Sequence, residues 1–183
     1  MTSPQAPGIQ VAVHGHPNLD TLLLWHPAVR TDAEAVGALA SRIATRGGVR
    51  VVVPTWEDGR DLLRSVRYAR GSAVHPPDQL SVVGYGAAGI AALSLAQHQR
   101  RLGIGLRRVT CVDGAADLVD PISGQPLGVP AARPDRVATE VDVVVPAAGG
   151  DWAETTVTAW QGAGWAATLV PADQFTWRVS PSQ

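Results

Sequence analysis

The 183-residue sequence predicts one α/β domain with three layers, in which a mostly parallel sheet of about seven strands lies between helices. Two observations predict this fold class. Short apolar segments alternate with segments of helical periodicity about 10 to 15 residues long, which is the pattern of right-handed βαβ crossovers. Two strands also come first with no helix between them, separated by a turn that contains Pro17, Asn18 and Asp20.

The first half of the chain is predicted to contain three strands and two helices. The first helix has apolar residues at helical spacing, and Gly47-Gly48 ends it. The strand that follows, VRVVVP, is a continuous apolar run, which is typical of a strand covered on both faces. The predicted segments are strands at 9–14, 21–25 and 49–54, a helix at 32–46 and a helix that carries Leu62, Leu63, Val66 and Ala69.

The second half is predicted to contain four strands, two helices and one irregular loop. Residues 118–136 are rich in Pro and Gly without periodicity, so we expect a surface loop there, and we expect residues 1–8 to be flexible. The whole chain, 1–183, is taken as a single domain. The predicted segments are strands at 80–83, 107–113, 141–146 and 165–171, a helix from the turn after Val83 to about Arg100, and a helix at about 151–162.

Composition narrows the class of protein. The 15 positive charges are all Arg and are scattered, and the net charge is -1, so we expect no nucleic-acid partner. Cys111 is the only cysteine, which excludes an internal disulfide and a thiolate metal cluster. The amino terminus has no signal-peptide pattern, and no apolar run reaches the roughly 18 residues of a membrane span. We therefore expect a cytoplasmic protein without a membrane partner.

The stretch LSVVGYGAAGIAAL, at 80–93, admits two interpretations. Gly84, Gly86 and Gly89 have the spacing of a dinucleotide-binding fingerprint, with Asp113 at the end of the next strand as the ribose ligand. Such a fingerprint normally opens its nucleotide-binding unit, whereas three strands precede this one. The same residues also match a nucleophile elbow, Gly-x-Ser-x-Gly, with Gly86 at the position of the serine.

From Thr21 onward the sequence resembles the α/β-hydrolase family, in particular its small, lidless, esterase-like members. TLLLWHP resembles the strand that leads into the family's oxyanion turn, with His26 and Pro27 in place of His-Gly. The elbow follows at the expected distance. The stretches that carry the rest of the resemblance are VRVVVPTWEDG, VDVVVPAAGGDW and WAATLVPADQFTW.

The resemblance implies a degenerate catalytic triad. It puts Gly86 at the position of the nucleophile, Asp151 at that of the acid and Gln174 near that of the catalytic histidine. No histidine lies beyond His98 in the sequence. Pro27 has no N–H to donate to an oxyanion, while the N–H of Ala87 would supply half of the hole. We therefore predict that the protein is not a Ser-His-Asp hydrolase. Glycine is the residue expected at an elbow released from catalysis, because it adopts a positive φ freely.

The resemblance also predicts a ligand pocket, here called the mouth, above the elbow at the carboxyl ends of the strands. Its tryptophans could stack on a flat ligand, present a surface to a protein partner, or simply fill the core. The acid-base candidates are His26, Asp113 and Asp151, although His26 could be structural and Asp151 a helix N-cap. The residues predicted to line the mouth are Trp25, His26, Trp56, Glu57, Asp58, Tyr85, Gly86, Ala87 and Phe175.

Three functions follow as hypotheses. The first is a non-catalytic protein that binds a small organic ligand or a protein partner, and it could form a homodimer through a sheet edge. The second is a non-hydrolytic acid-base enzyme, of cyclase, lyase or isomerase type, that uses the same pocket. The third is dinucleotide binding. We expect no cofactor in the first two, and no metal, because His14-x-His16 on a strand has no third ligand.

Overall fold

The computed structural model describes residues 8–74, 80–147 and 149–175, and most of the segment expected to be flexible, 1–8, lies outside these residues. It contains the seven strands and four helices predicted from the sequence, within one or two residues at most ends. The strands are β1 Gln10–His14, β2 Thr21–Trp25, β3 Arg50–Thr55, β4 Leu80–Tyr85, β5 Leu106–Val112, β6 Glu140–Val144 and β7 Ala166–Val170. The helices are α1 Ala33–Gly47, α2 Gly59–Ser72, α3 Ala87–His98 and α4 Asp151–Gly162.

The strands form one sheet in the order β1-β3-β2-β4-β5-β6-β7. Only β1 is antiparallel, to β3, and every other neighbouring pair is parallel. The two strands that open the chain are therefore separated in the sheet by β3. Because β2, β4 and β5 are parallel neighbours, the residues that follow them meet at one edge of the sheet, which is where the mouth was predicted.

Helices cover both faces of the sheet, as predicted. Helix α1 packs with β2 and β3 on one face, and α2, α3 and α4 pack on the other. Helix α3 is buried from Ala88 to Ala96 and apolar all round, as expected for a helix at the centre of a domain. No helix among the described residues is long and apolar enough to cross a membrane.

One half of the α1 face carries polar side chains in place of a covering helix. A groove of about 640 Å³ is lined there by residues that include Ser81, Arg108, Thr110 and Asp142. Burial raises the pKa of the Asp142 carboxyl, and Arg108, with an N–O distance of 3.5 Å, opposes that shift. A strand covered on both faces would be apolar at these positions, so the sequence is adapted to a solvated half-face.

Local polar contacts begin the helices and order the loop. Asp32 caps α1 by accepting the Ala35 N–H at 3.1 Å, and Asp58 caps α2 by accepting the N–H groups of Arg60 and Asp61. The expectation that Asp151 is an N-cap is wrong, because α4 begins at Asp151 and Gly150 is its uncapped N-cap residue. The predicted loop at 118–136 has only one isolated β-bridge, and buried Asp120 accepts two backbone N–H groups in it.

His14 and His16 were both placed on a strand, where their rings would point to one face, and this expectation is wrong because only His14 lies in β1. Strand β1 ends at His14, and Gly15 turns the chain with φ 94°. The His14 ring contacts the Ser41 hydroxyl at 3.0 Å, whereas the Nδ1 atom of His16 accepts the Asn18 N–H at 3.2 Å. The two rings therefore have separate partners.

Candidate functional site

The turn between β4 and α3 has the backbone geometry of an elbow without the side chain. Strand β4 ends at Tyr85, α3 begins at Ala87, and Gly86 between them has φ 61° and ψ −129°. A Cβ atom built on Gly86 would meet no atom within 4 Å. Space for a side chain is therefore present, and only the positive φ disfavours one.

The other two glycines of the motif have a packing role. A Cβ on Gly84 would lie 2.2 Å from the Ala88 carbonyl oxygen, and one on Gly89 would lie 2.8 Å from the Cys111 sulfur. Both distances are too short for nonbonded atoms. Close contact between strand and helix thus explains Gly84 and Gly89, and the backbone angle explains Gly86. The three-glycine spacing is accounted for without a bound pyrophosphate, which favours the elbow interpretation.

Backbone donors face the mouth at the start of α3. The Gly86 N–H donates to the Val112 carbonyl at 2.8 Å, which ties the elbow to β5. No side chain caps α3, so the N–H groups of Ala87 and Ala88 stand at its amino-terminal end without a capping partner. The Ala87 N–H is the one predicted to survive as half of an oxyanion hole.

The turn after β2 lacks the other half of that hole. Pro27 has no N–H, and the Ala28 N–H donates to Nδ1 of His26 at 3.0 Å. The next donor, the Val29 N–H, bonds the His26 carbonyl at 3.3 Å. The sequence showed the loss at Pro27, but not that the Ala28 N–H is directed to the His26 ring. This turn therefore offers an oxyanion no free backbone N–H, and the backbone donors that remain near the elbow are those of α3.

His26 is a half-buried hydrogen-bond donor at the mouth. Its ring lies 4.6 Å from that of Tyr85, centroid to centroid, and its carbonyl accepts the Trp56 indole N–H at 3.2 Å. Because Nδ1 accepts the Ala28 N–H, the proton of the neutral ring is on Nε2. Burial lowers the pKa of His26, and the negative charge of Asp113 partly opposes this. The neutral ring that presents Nε2–H is therefore the form at neutral pH.

Asp113 stands on the other side of the elbow, directly after β5. Its carboxylate is exposed, and its backbone is left-handed, with φ 55°, a conformation that Asp tolerates better than most residues. Below it, Cys111 is fully buried. Burial and then the charge of Asp113 raise the pKa of the Cys111 thiol to about 12. Cys111 is thus a packing residue.

The Cys111 thiol is expected to be inert in the folded protein. At pH 8 it is almost wholly protonated, and only the thiolate reacts with a disulfide reagent. We expect no reaction with Ellman's reagent over an hour in buffer and one thiol per chain in 6 M guanidinium. Rapid stoichiometric reaction of the folded protein would show that Cys111 is accessible.

The remaining predicted pocket residues divide between the mouth and other places. Trp56 is half-buried beside His26. The prediction that Trp25 and Tyr85 line the pocket is wrong, because both side chains are buried in the core and offer no surface to a ligand. Glu57 is exposed and pairs with Arg30 at 2.7 Å. Asp58 is engaged as the cap of α2. Strand alternation turns Trp25 to the face opposite His26, which accounts for its burial.

The acid and base positions implied by the resemblance are not joined by a hydrogen bond in the described part of the chain. Asp151 is exposed in the first turn of α4, and Gln174 is exposed in a short 3-10 turn after β7. Gln174 and half-buried Phe175 line the polar groove on the α1 face, where Phe175 packs against the α1 core.

Comparisons with known proteins agree with this architecture. No family model and no curated protein matches the sequence. Among solved structures, a putative esterase from Staphylococcus aureus superposes with a TM-score of 0.69 at 11% identity, over 93% of this chain and 73% of that one. An esterase from Pyrobaculum calidifontis gives 0.64 at 13% identity, over 90% and 70%.

A third neighbour is MGS-M1, an α/β hydrolase enzyme from a deep-sea metagenome library, with a TM-score of 0.60 at 17% identity over 91% of this chain and 77% of that one. Identities this low establish the fold and not the activity. The superpositions agree with the described sheet, in which β1 is antiparallel and the other strands are parallel, and with the elbow between β4 and α3. This chain has an α/β-hydrolase fold.

Proposed function

We propose that this protein binds a small, partly aromatic organic ligand in the mouth above Gly86 and does not hydrolyse esters through a serine. The observation that supports this best is the elbow itself. Gly86 keeps the strained backbone angles of a nucleophile position, yet it has no side chain to attack a substrate. The space left there, beside His26 and the start of α3, is open to a ligand.

The described residues of the mouth also lack the rest of the machinery for acyl transfer. A covalent intermediate needs a nucleophile, a base within hydrogen-bond reach and donors for the oxyanion. Gly86 supplies no nucleophile, no histidine follows His98, and the Ala28 N–H is bonded to His26. A replacement of one residue would not restore these three functions together.

A small ligand is a better candidate occupant than a protein partner. Of the tryptophans that the structure describes, Trp56 and Trp152 are half-buried and the others are buried. The large apolar side chains that are exposed are separated along the chain, and they are Val13, Val74, Leu102, Val119 and Val129. A contiguous apolar patch of the kind that marks a protein interface is therefore not built from tryptophan in the described part of the chain.

An acid-base enzyme is the second candidate, favoured by the proximity of His26 and Asp113. His26 could donate its Nε2 proton to a substrate, with Asp113 or Asp151 as the base. For His26 to act as the base, the proton would have to move to Nδ1, which breaks the bond from the Ala28 N–H. His26 therefore acts as a hydrogen-bond donor in this arrangement, which favours ligand binding over abstraction of a proton from a substrate.

We also propose a cytoplasmic location, because the lone, buried Cys111 is compatible with a reducing compartment.

We further propose a homodimer that forms through β1, because β1 pairs on one side only among the described strands.

Phenyl acetate tests binding and hydrolysis in one NMR experiment. We expect it to shift the Ala87 amide and the Trp56 indole signals of the protein, while acetate appears no faster than in buffer. The Trp165 indole, which donates to the Ala131 carbonyl at the opposite end of the sheet, is the internal control. Acetate release faster than in buffer would show ester hydrolysis, whether through a nucleophile or through acid-base activation of water.

Variants of two histidines provide the matched control. His26→Ala should weaken the binding of phenyl acetate, measured from these shifts, at least about fivefold, because it removes a donor and a ring from the mouth. His16→Ala should leave them unchanged, although His16 makes the same kind of Nδ1 contact with a backbone N–H two residues later. Absence of any shift at Ala87 and Trp56 would refute ligand binding at the elbow. Stabilisation by NAD or FAD, lost in Gly86→Ser, would instead support the dinucleotide hypothesis.

A further inference from the structure

The proposed ligand site has a hydrogen-bond donor on one side and an acceptor on the other. In the sheet, β4 lies between β2 and β5, with Trp25 opposite Gly84 and Tyr85 opposite Val112. The residues that follow, His26 and Asp113, therefore flank the elbow from its two neighbouring strands. With neighbouring strands about 4.8 Å apart, the two backbones are about 10 Å apart across Gly86.

The donor side is His26, whose orientation is fixed by three contacts. The Ala28 N–H bonds Nδ1 at 3.0 Å, the Trp56 indole N–H bonds the carbonyl at 3.2 Å, and the Tyr85 ring packs at 4.6 Å. Nδ1 is occupied, so Nε2–H is the group left to bond a ligand, and it can only donate. A ligand atom that meets His26 must accordingly be an acceptor, such as a carbonyl oxygen.

The acceptor side is Asp113, an exposed carboxylate close enough to affect the titration of His26. A carboxylate has about four lone-pair sites, so it can accept a ligand N–H in addition to its bonds within the protein. A planar group held by a hydrogen bond of about 2.9 Å on each side would bridge the two side chains. Tyr85 is buried, so its ring supports the His26 ring rather than lining the site.

On the basis of the proposed function, we infer that the site selects an uncharged, planar ligand with a carbonyl acceptor and an N–H donor, such as an aromatic amide or lactam. A carboxylate would face the negative charge of Asp113. An ammonium group would face the Nε2–H of His26 and the positive end of the α3 dipole. An amide satisfies both sides, since one group carries the acceptor and the donor.

Three probes that share a phenyl ring test this selectivity: benzamide, benzoate and benzylamine. Each is titrated at pH 7.5 into the labelled protein, and the dissociation constant is taken from the Ala87 amide and Trp56 indole shifts. We expect benzamide to bind at least about fivefold more tightly than either charged probe. Asp113→Asn should reduce the ratio between the dissociation constants of benzoate and benzamide, because it removes the charge that repels benzoate.

The variants are chosen so that folding does not obscure the result. Asn suits the left-handed backbone at position 113 as well as Asp does, so Asp113→Asn should fold. Asp117→Asn removes an exposed charge four residues later and should leave all three constants unchanged. His26→Phe keeps an aromatic ring against Tyr85 and removes the donor, so it should weaken benzamide more than benzylamine.

Each other outcome overturns the inference in a distinguishable way. Tightest binding by benzoate or benzylamine would refute the amide preference and leave ligand binding at the elbow intact. Equal binding of all three probes, unchanged by Asp113→Asn, would show that only the phenyl ring is recognised. Absence of shifts with these probes and also with phenyl acetate would refute the proposed function itself.

Discussion

Trp25→Ala is expected to lower the free energy of unfolding by about 3–5 kcal/mol, the range for removing a large aromatic side chain from a core. Trp25 is 0% exposed, and it packs between the sheet and α2. Its indole N–H donates to the Ser65 hydroxyl at 2.9 Å, and Ser65 in turn donates to the Leu62 carbonyl. The substitution leaves a cavity and removes the acceptor's partner at the same time.

Urea unfolding followed by circular dichroism measures this loss. Trp56→Ala is the matched control, because Trp56 lies one strand away, also near a strand end, but is only half-buried. Trp56→Ala should lower the free energy of unfolding clearly less than Trp25→Ala does. A loss below about 1 kcal/mol for Trp25→Ala would mean that Trp25 is not part of the core, and would return it to the ligand pocket as first predicted.

Gly86→Ala is expected to cost about 1–3 kcal/mol of stability, because the elbow holds a positive φ that residues with a side chain rarely adopt. No neighbouring atom would clash with the added Cβ, so the expected loss is conformational alone. Gly86→Ser should lose a similar amount. The comparison separates the backbone requirement at Gly86 from the packing requirement at Gly84, where a Cβ would lie 2.2 Å from a carbonyl oxygen.

Gly37→Ala is the control for this prediction. Gly37 lies within α1, has no atom within 4 Å of a built Cβ and does not have a positive φ. Alanine there should stabilise the protein by about 0.5–1 kcal/mol, the usual gain within a helix. If Gly86→Ala were as favourable as Gly37→Ala in chemical denaturation, the elbow geometry assigned to Gly86 would be wrong.

Most of the fold could be predicted from the sequence because local and global signals agree. The Thr21–Trp25 strand and the Asp151–Gly162 helix have the predicted bounds, since turn residues and periodicity mark both ends. The mostly parallel sheet and the two strands that open the chain were also predicted, but not that β1 runs antiparallel to β3. The position of β3 between β1 and β2, in contrast, depends on long-range pairing that a local pattern does not encode.

The site was only partly predictable. The absence of a side chain at Gly86 and of an N–H at Pro27 can be read directly from the residue types. The bond from the Ala28 N–H to His26 could not be, because it depends on how a 3-10 turn orients a ring. Trp25 was misplaced for a related reason: a residue at a strand end points to one face or the other, and one position decides which.

The central claim is that the elbow persists without acyl chemistry, and mass spectrometry after incubation with a fluorophosphonate tests it most directly. The reagent forms a stable adduct with an activated serine and with little else. We expect no adduct on the native protein, and none at position 86 in Gly86→Ser, because His26, the histidine of the mouth, presents Nε2–H while its Nδ1 accepts the Ala28 N–H, so its ring has no free lone pair for the serine proton. A stoichiometric adduct on the native protein, mapped to a residue of the mouth, would contradict the claim and show that another nucleophile serves the site.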